Sequence, residues 1–277
     1  MTLMNLRSTG LFLLCAMLAI GCAHTQTGTH DHADHESSVE SNDGSLGSKV
    51  ITNAHQLIFE GARSGEAYFH PSGTKVVLQA ELSPDNPFYQ IYTFDLNTGA
   101  KERISTGDGK TTCSYFHPNG ETLLFSSTHL DPETSSLQQA ELDFRKSGKK
   151  RRYSWDYDAS FDIFSRAKPG APLTRLTTEV GYDAEGAFSP KGDRIVFASN
   201  RSAYQSKLSP EEAQRLEDDP SYFIDIYTMN IDGSDVRQLT TSQGYDGGPF
   251  YDATGDHITW RRFTPDGSKA EIWIMKS

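Results

Sequence analysis

Acidic residues recur at fixed offsets from a repeated turn, and clustered carboxylates are groups that hold cations. Aligned on the turn glycines Gly73, Gly120, Gly192 and Gly255, the chain places Ser64, Thr111, Asp183 and Asp246 in one column. Glu66, Cys113, Glu185 and Gly248 form a second. Two repeats carry the same tripeptide, Gly181-Tyr182-Asp183 and Gly244-Tyr245-Asp246. If both columns face a shared axis, Asp183, Asp246, Glu66 and Glu185, with Thr111 and Ser64, form an acidic mouth suited to a divalent cation, an ammonium or a guanidinium. The carboxylates would then raise one another's pKa, and Asp→Asn changes at 183 and 246 would spare the fold while weakening cation capture. The alternative is that the two aspartates cap local turns through their own backbone.

Other reactive residues sit near the N-terminus. His30-Asp31-His32-Ala33-Asp34-His35 gathers three imidazoles and two carboxylates, so His30, His32 and His35 are candidate metal ligands on a tract with no rigid frame. No Gly-x-Ser-x-Gly elbow, His-Glu-x-x-His pair or phosphate-cradling glycine loop occurs, so no catalytic residue is assigned and no cofactor is required. His70 and His117 take a turn position that Ser189 and Asp252 take elsewhere, which fits a turn-shaping role.

The elements that position these residues come from a motif that returns four times. Phe69-His70-Pro71-Ser72-Gly73, Phe116-His117-Pro118-Asn119-Gly120, Phe188-Ser189-Pro190-Lys191-Gly192 and Tyr251-Asp252-Ala253-Thr254-Gly255 each precede a short apolar run. A second strand-like run follows, as in Gln90–Asp95 and Asp225–Asn230, and then a glycine turn and an exit segment such as Arg175-Leu176-Thr177-Thr178. Four short strands per unit, with β-branched and aromatic residues in the pleats, predict an all-β fold. Long-period repetition of such units is the mark of a β-propeller. Two inserts, roughly 131–157 and 202–221, fall between second and third strands. Within the second, Ser209-Pro210-Glu211-Glu212 is a capping-box pattern that predicts a short helix to about Leu216.

These residues resemble a known family. Phe-Ser-Pro-x-Gly, an apolar strand, Asp-Ile-Tyr-x-Met-Asn-x-Asp-Gly and Arg-Gln-Leu-Thr, nearly continuous from Tyr182 to Thr241, look like the TolB-like, WD-repeat-like propellers of bacteria. The resemblance runs from about Gln56 to the end. It implies a ring of six four-stranded blades, acting as a periplasmic binding module or attached to a peptidase. About three and a half blades are present here, the fourth ending within its third strand. Gln56-Leu57-Ile58-Phe59 is expected to be a lone outer strand, and the chain to be cut short of further blades.

Compartment and charge complete the expectations. Residues 1–21 carry one charge and an apolar run too short to span a membrane, ending Leu18-Ala19-Ile20-Gly21-Cys22. This resembles a bacterial lipoprotein signal and makes Cys22 the lipidation site and membrane anchor. Residues 22–50 are Ser, Thr, Gly, His and acid, a flexible tether, and 51–277 form the propeller. With the signal removed, Cys113 is the remaining thiol, which fits a small buried hydrophobe. A formal net charge of −11 argues against nucleic acid as a partner. One basic run, Lys146, Lys149, Lys150, Arg151 and Arg152, opposes it and reads as a solvated loop or a contact for anionic lipid or a polyanion. The expected function is a lipid-anchored module at the periplasmic face of a bacterial membrane, binding an envelope protein or peptide. The alternative is the N-terminal propeller of a serine or zinc peptidase.

Overall fold

A computed structural model describes residues 54–152 and 154–277, and the propeller unit is Gln56–Ser277. Cys22, His30, His32 and His35 lie outside the described residues. Blade 1 contains β1 (Ser64–Phe69), β2 (Lys75–Ala80), β3 (Gln90–Asp95) and β4 (Lys101–Arg103). Blade 2 contains β5 (Thr111–Phe116), β6 (Leu123–Ser127), β7 (Asp162–Arg166) and β8 (Leu173–Arg175). Blade 3 contains β9 (Asp183–Phe188), β10 (Arg194–Ser199), β11 (Asp225–Asn230) and β12 (Arg237–Gln238). Blade 4 contains β13 (Asp246–Tyr251), β14 (His257–Phe263) and β15 (Ala270–Lys276). Each blade is an antiparallel meander in chain order, and the four sheets form an all-β propeller.

The repeated turn closes the first hairpin of every blade in the same way. The amides of Gly73, Gly120, Gly192 and Gly255 donate to the carbonyls of His70, His117, Ser189 and Asp252. All four glycines have positive φ, which other residues reach at a cost of about 1–2 kcal/mol.

A second device repeats at the exit segment. The hydroxyls of Ser105, Thr177 and Thr240 accept from the amides of Ile91, Ile163 and Ile226 and donate to Gln90, Asp162 and Asp225. This satisfies the buried start of each third strand and accounts for the recurring Ser or Thr after Ile104, Leu176 and Leu239.

Between blades the faces are apolar. Val77 and Ile91 of blade 1 meet Phe116, Phe125 and Phe164 of blade 2. Leu124 and Ile163 meet Phe188, Ile195 and Phe197, and Val196 and Ile226 meet Ile258 and Trp260. Each such side chain contributes about 1.5–3 kcal/mol by leaving water. Backbone bonds link the same interfaces: the amides of Thr111, Asp183 and Asp246 donate to the carbonyls of Tyr89, Phe161 and Ile224 in the preceding blade.

The inserts fold onto the blades. The second forms α2 (Arg201–Gln205), α3 (Pro210–Asp218) and a 3-10 turn at Pro220–Phe223; the capping box between Ser209 and Glu212 is present as expected. The first contains α1 (Thr134–Lys146), a helix with no side-chain cap that the sequence reading does not assign. It is fastened from outside: Arg145 pairs with Glu81 and donates to Pro87 O at 2.7 Å, and Gln138 accepts from the Gly109 amide. Gln56–Phe59 is not a strand; Ile58 packs against blade 1 while Phe59 stays exposed.

Candidate functional site

Every inner strand carries a bulge at the same place. Pairing shifts register between Gly65 and Ala67 in β1, between Thr112 and Tyr115 in β5, between Val196 and Ala198 opposite β9, and between Gly247 and Phe250 in β13. The residue at the bulge is Glu66, Cys113, Glu185 or Gly248, and all four have φ between 40° and 64°. A bulge of this kind bends the strand and re-aims its side chain. Three non-glycine residues held in the left-handed region at equivalent sites are a strained arrangement repeated from blade to blade.

Those positions open onto an axial cavity of about 670 Å³. Glu66 and Glu185 both line it, with Cys113 between their blades, and Glu66 is the more exposed of the two acids. Below them Tyr68, Tyr115 and Phe250 form a triangle with ring centroids 5.4–5.9 Å apart. Trp155, Tyr157 and Tyr245 supply further aromatic wall.

The first column does not share this cavity. Asp183 is fully buried, accepts from Ser199 Oγ at 2.5 Å and pairs with the buried Arg201. Asp246 is fully buried opposite Arg262, which donates from Nε at 2.7 Å and from Nη2 at 2.6 Å, while Ser242 donates at 2.8 Å. Both carboxylates are neutralised within or beside their own blade. The bulge lies two residues further along, so only side chains from that point are turned toward the axis. Thr111 is buried, donates to Tyr89 O at 2.8 Å and lines a different cleft, and Ser64 is exposed on β1. Of the six candidates, Glu66 and Glu185 are therefore the two that the structure brings together.

In the repeated Gly-Tyr-Asp it is the tyrosine that serves the site. Tyr245 donates to Glu185 at 2.7 Å and Tyr182 at 3.3 Å, with the Gly248 amide as a third donor. Burial nevertheless pushes the Glu185 carboxyl above its usual range. Burial, with the nearby Glu185 charge, does the same to Glu66. Arg261 reaches in from β14, its guanidinium 5.3 Å from the Tyr245 ring centroid and Nη2 3.3 Å from that hydroxyl. A guanidinium thus already rests on this wall, next to Glu185.

Cys113 is a buried free thiol raised well above its ordinary pKa, by burial first and then by Glu66 and Glu185. That makes it a poor nucleophile. Among the described residues no three His, Cys, Asp or Glu side chains gather to hold a metal ion. His70 and His117 do more than shape turns. Each Nδ1 accepts a backbone amide of its own turn, leaving Nε2–H to donate to the next blade, at Gly120 O (2.8 Å) and Gly192 O (2.9 Å). Each ring also meets Phe116 or Phe188 edge-on.

Comparison with known proteins agrees with the architecture. No family model matches the chain. An uncharacterised protein of Agrobacterium fabrum is 21% identical over 180 residues, covering 64% of this chain and 48% of its own length. Among solved structures, TolB from Acinetobacter baumannii superposes with a TM-score of 0.51 at 20% identity, over 77% of this chain and 41% of that one. A chain ascribed to TolB from Agrobacterium tumefaciens gives 0.51 at 17% identity, over 78% and 64%. A puromycin-hydrolysing peptidase from Mycobacterium tuberculosis gives 0.50 at 10% identity, over 80% and 28%. The fold is that of the TolB-like propellers, and the chain spans less than two thirds of the length of each of these relatives.

Proposed function

We propose that this chain is the propeller of an exported, lipid-anchored envelope protein that binds a basic group of a protein or peptide partner in its axial cavity, with no chemistry by its own residues. The observation that carries the reading is the pair Glu66 and Glu185, held by strained bulges on an aromatic-walled cavity. Carboxylates beside tyrosine and tryptophan faces are the surroundings that favour ammonium and guanidinium ions. Arg261 on Tyr245 is an internal example of the same contact.

Titration calorimetry with agmatine and with a Gly-Arg-Gly peptide tests this. Both should bind at pH 7.5 and more weakly at pH 5, because protons compete for carboxylates whose pKa is raised. The double variant Glu66→Gln, Glu185→Gln should lose at least tenfold in affinity. Absence of binding to the wild-type chain, or an unchanged double variant, would refute the reading. The anchor is tested separately: Cys22 should carry lipid in membrane-extracted protein, and Cys22→Ala should release the protein to the soluble fraction.

A second reading is supported by the shared fold with the puromycin-hydrolysing peptidase. In a longer polypeptide the same cavity would pass basic peptides to a hydrolytic domain, and the bound peptide would be cleaved rather than retained.

A further inference from the structure

A second cleft, of about 520 Å³, lies between the first insert and blades 1 and 2. Its walls carry six cations, Arg63, Lys110, Arg145, Lys149, Lys150 and Arg151, against three carboxylates, Glu81, Glu141 and Asp156. In a chain of net charge −11 this is a local reversal of sign. Most of the cations are committed. Arg63 and Arg145 converge on buried Glu81, Lys110 pairs with Asp156 and Asp158, and Arg151 pairs with Glu141 while stacking 4.6 Å over Phe144. Lys149 and Lys150 are exposed and have no carboxylate within ion-pair distance among the described residues. Phe88, Tyr89 and Phe161 line the same cleft, and Trp155 divides it from the axial cavity.

The geometry points to a binding site for a small anionic ring compound, with a phosphate or carboxylate head at Lys149 and Lys150 and a planar or sugar-like body against the aromatic wall. Fixed ion pairs hold α1 and its following loop in place, so the cleft exists before a ligand arrives. The two uncommitted ammonium groups supply the charge that a bound anion would meet. The surplus of cations raises the local concentration of anions that the rest of this acidic surface repels. Cleft volume and aromatic lining suit a ligand of one or two rings.

Titration calorimetry on the whole chain in low salt, with AMP, glucuronate, adenosine and inorganic phosphate, tests the site. AMP or glucuronate should bind at least tenfold more tightly than adenosine and inorganic phosphate. Preference for AMP identifies a phosphate head, and preference for glucuronate a carboxylate head. Lys149→Ala with Lys150→Ala should weaken that binding at least tenfold. Lys146→Ala with Arg152→Ala removes the same charge from residues of the same run that do not line the cleft, and should change affinity less than twofold. Equal losses in the two double variants would show a nonspecific basic loop and overturn the proposal. So would adenosine binding as well as AMP and glucuronate do, or neither anion binding below millimolar concentration.

Discussion

At the scale of single residues, two kinds of acid in this chain predict opposite phenotypes. Asp183 and Asp246 neutralise Arg201 and Arg262, so Asp183→Asn leaves a guanidinium buried without its counter-charge, a defect that typically costs about 3–5 kcal/mol. Thermal unfolding should show a large loss for Asp183→Asn, with agmatine affinity unchanged in the protein that remains folded. Glu66→Gln with Glu185→Gln should do the reverse, keeping or raising the midpoint and weakening cation binding at least tenfold. Arg261→Ala removes the resident guanidinium beside Glu185 and should tighten agmatine binding by calorimetry. A tightening of zero or a loss would mean that Arg261 builds the cavity instead of competing for it. Cys113 should resist a disulfide-forming chromogenic thiol reagent until the chain is unfolded, because burial disfavours its thiolate.

At the scale of elements, stability is carried by small devices repeated from blade to blade. Thr177→Val keeps the shape of the side chain but strands the buried Ile163 amide and one acceptor of Asp162. It should cost about 1–3 kcal/mol, read as a lower denaturant midpoint at unchanged slope. The histidine contacts between blades can be isolated with two glycines of nearly equal φ. A Cβ at Gly99 (φ +72) meets nothing within 4 Å, whereas one at Gly192 (φ +73) falls 2.2 Å from His117 Nε2. Gly99→Ala should therefore report backbone strain alone, about 1–2 kcal/mol. Gly192→Ala should cost clearly more, and combining it with His117→Ala should recover part of the excess. Equal costs at the two glycines would show that the imidazole moves aside freely and does not fasten the blades.

At the scale of the whole molecule, titration and exposed surface set the behaviour. Burial raises Glu66 and Glu185, and brings Asp183 and Asp225 to about 6. Between the ordinary carboxylate pKa of about 4 and these values the native state binds more protons than the unfolded chain. Stability from these groups is therefore lost as pH rises through that window. Surface acids such as Asp232, Asp235 and Asp266 are lowered by hydrogen bonds and act oppositely, their stabilisation disappearing as pH falls below about 4. The thermal midpoint should accordingly be higher near pH 5 than at pH 7.5, and Glu66→Gln with Glu185→Gln should flatten that difference. A midpoint rising steadily to pH 8 would contradict the burial of these acids.

Periodicity and turn chemistry were enough to determine the blades. Pro–x–Gly turns, alternating apolar runs and the Ser or Thr of each exit segment act locally, so the strand order, the capping box at Ser209 and the three-stranded fourth blade were legible in the sequence. The offset from the turn glycine even aligned Glu66, Cys113, Glu185 and Gly248 before their shared bulge was visible. Which column faces the axis was not legible, because the extra residue of a bulge shows only in the pairing with the neighbouring strand. Nor could Arg201 and Arg262 be matched to Asp183 and Asp246, since one partner lies in an insert and the other on the adjoining strand. The cleft beneath helix α1 was hidden for the same reason. Leu137, Gln138, Gln139, Ala140, Glu141 and Leu142 are good helix formers and a local signal for α1, but an ion pair to Glu81 and bonds to Pro87 and Gly109, distant in the chain, decide where it lies. Contacts local in sequence determined the scaffold, and contacts between residues far apart along the chain decided where its charges point.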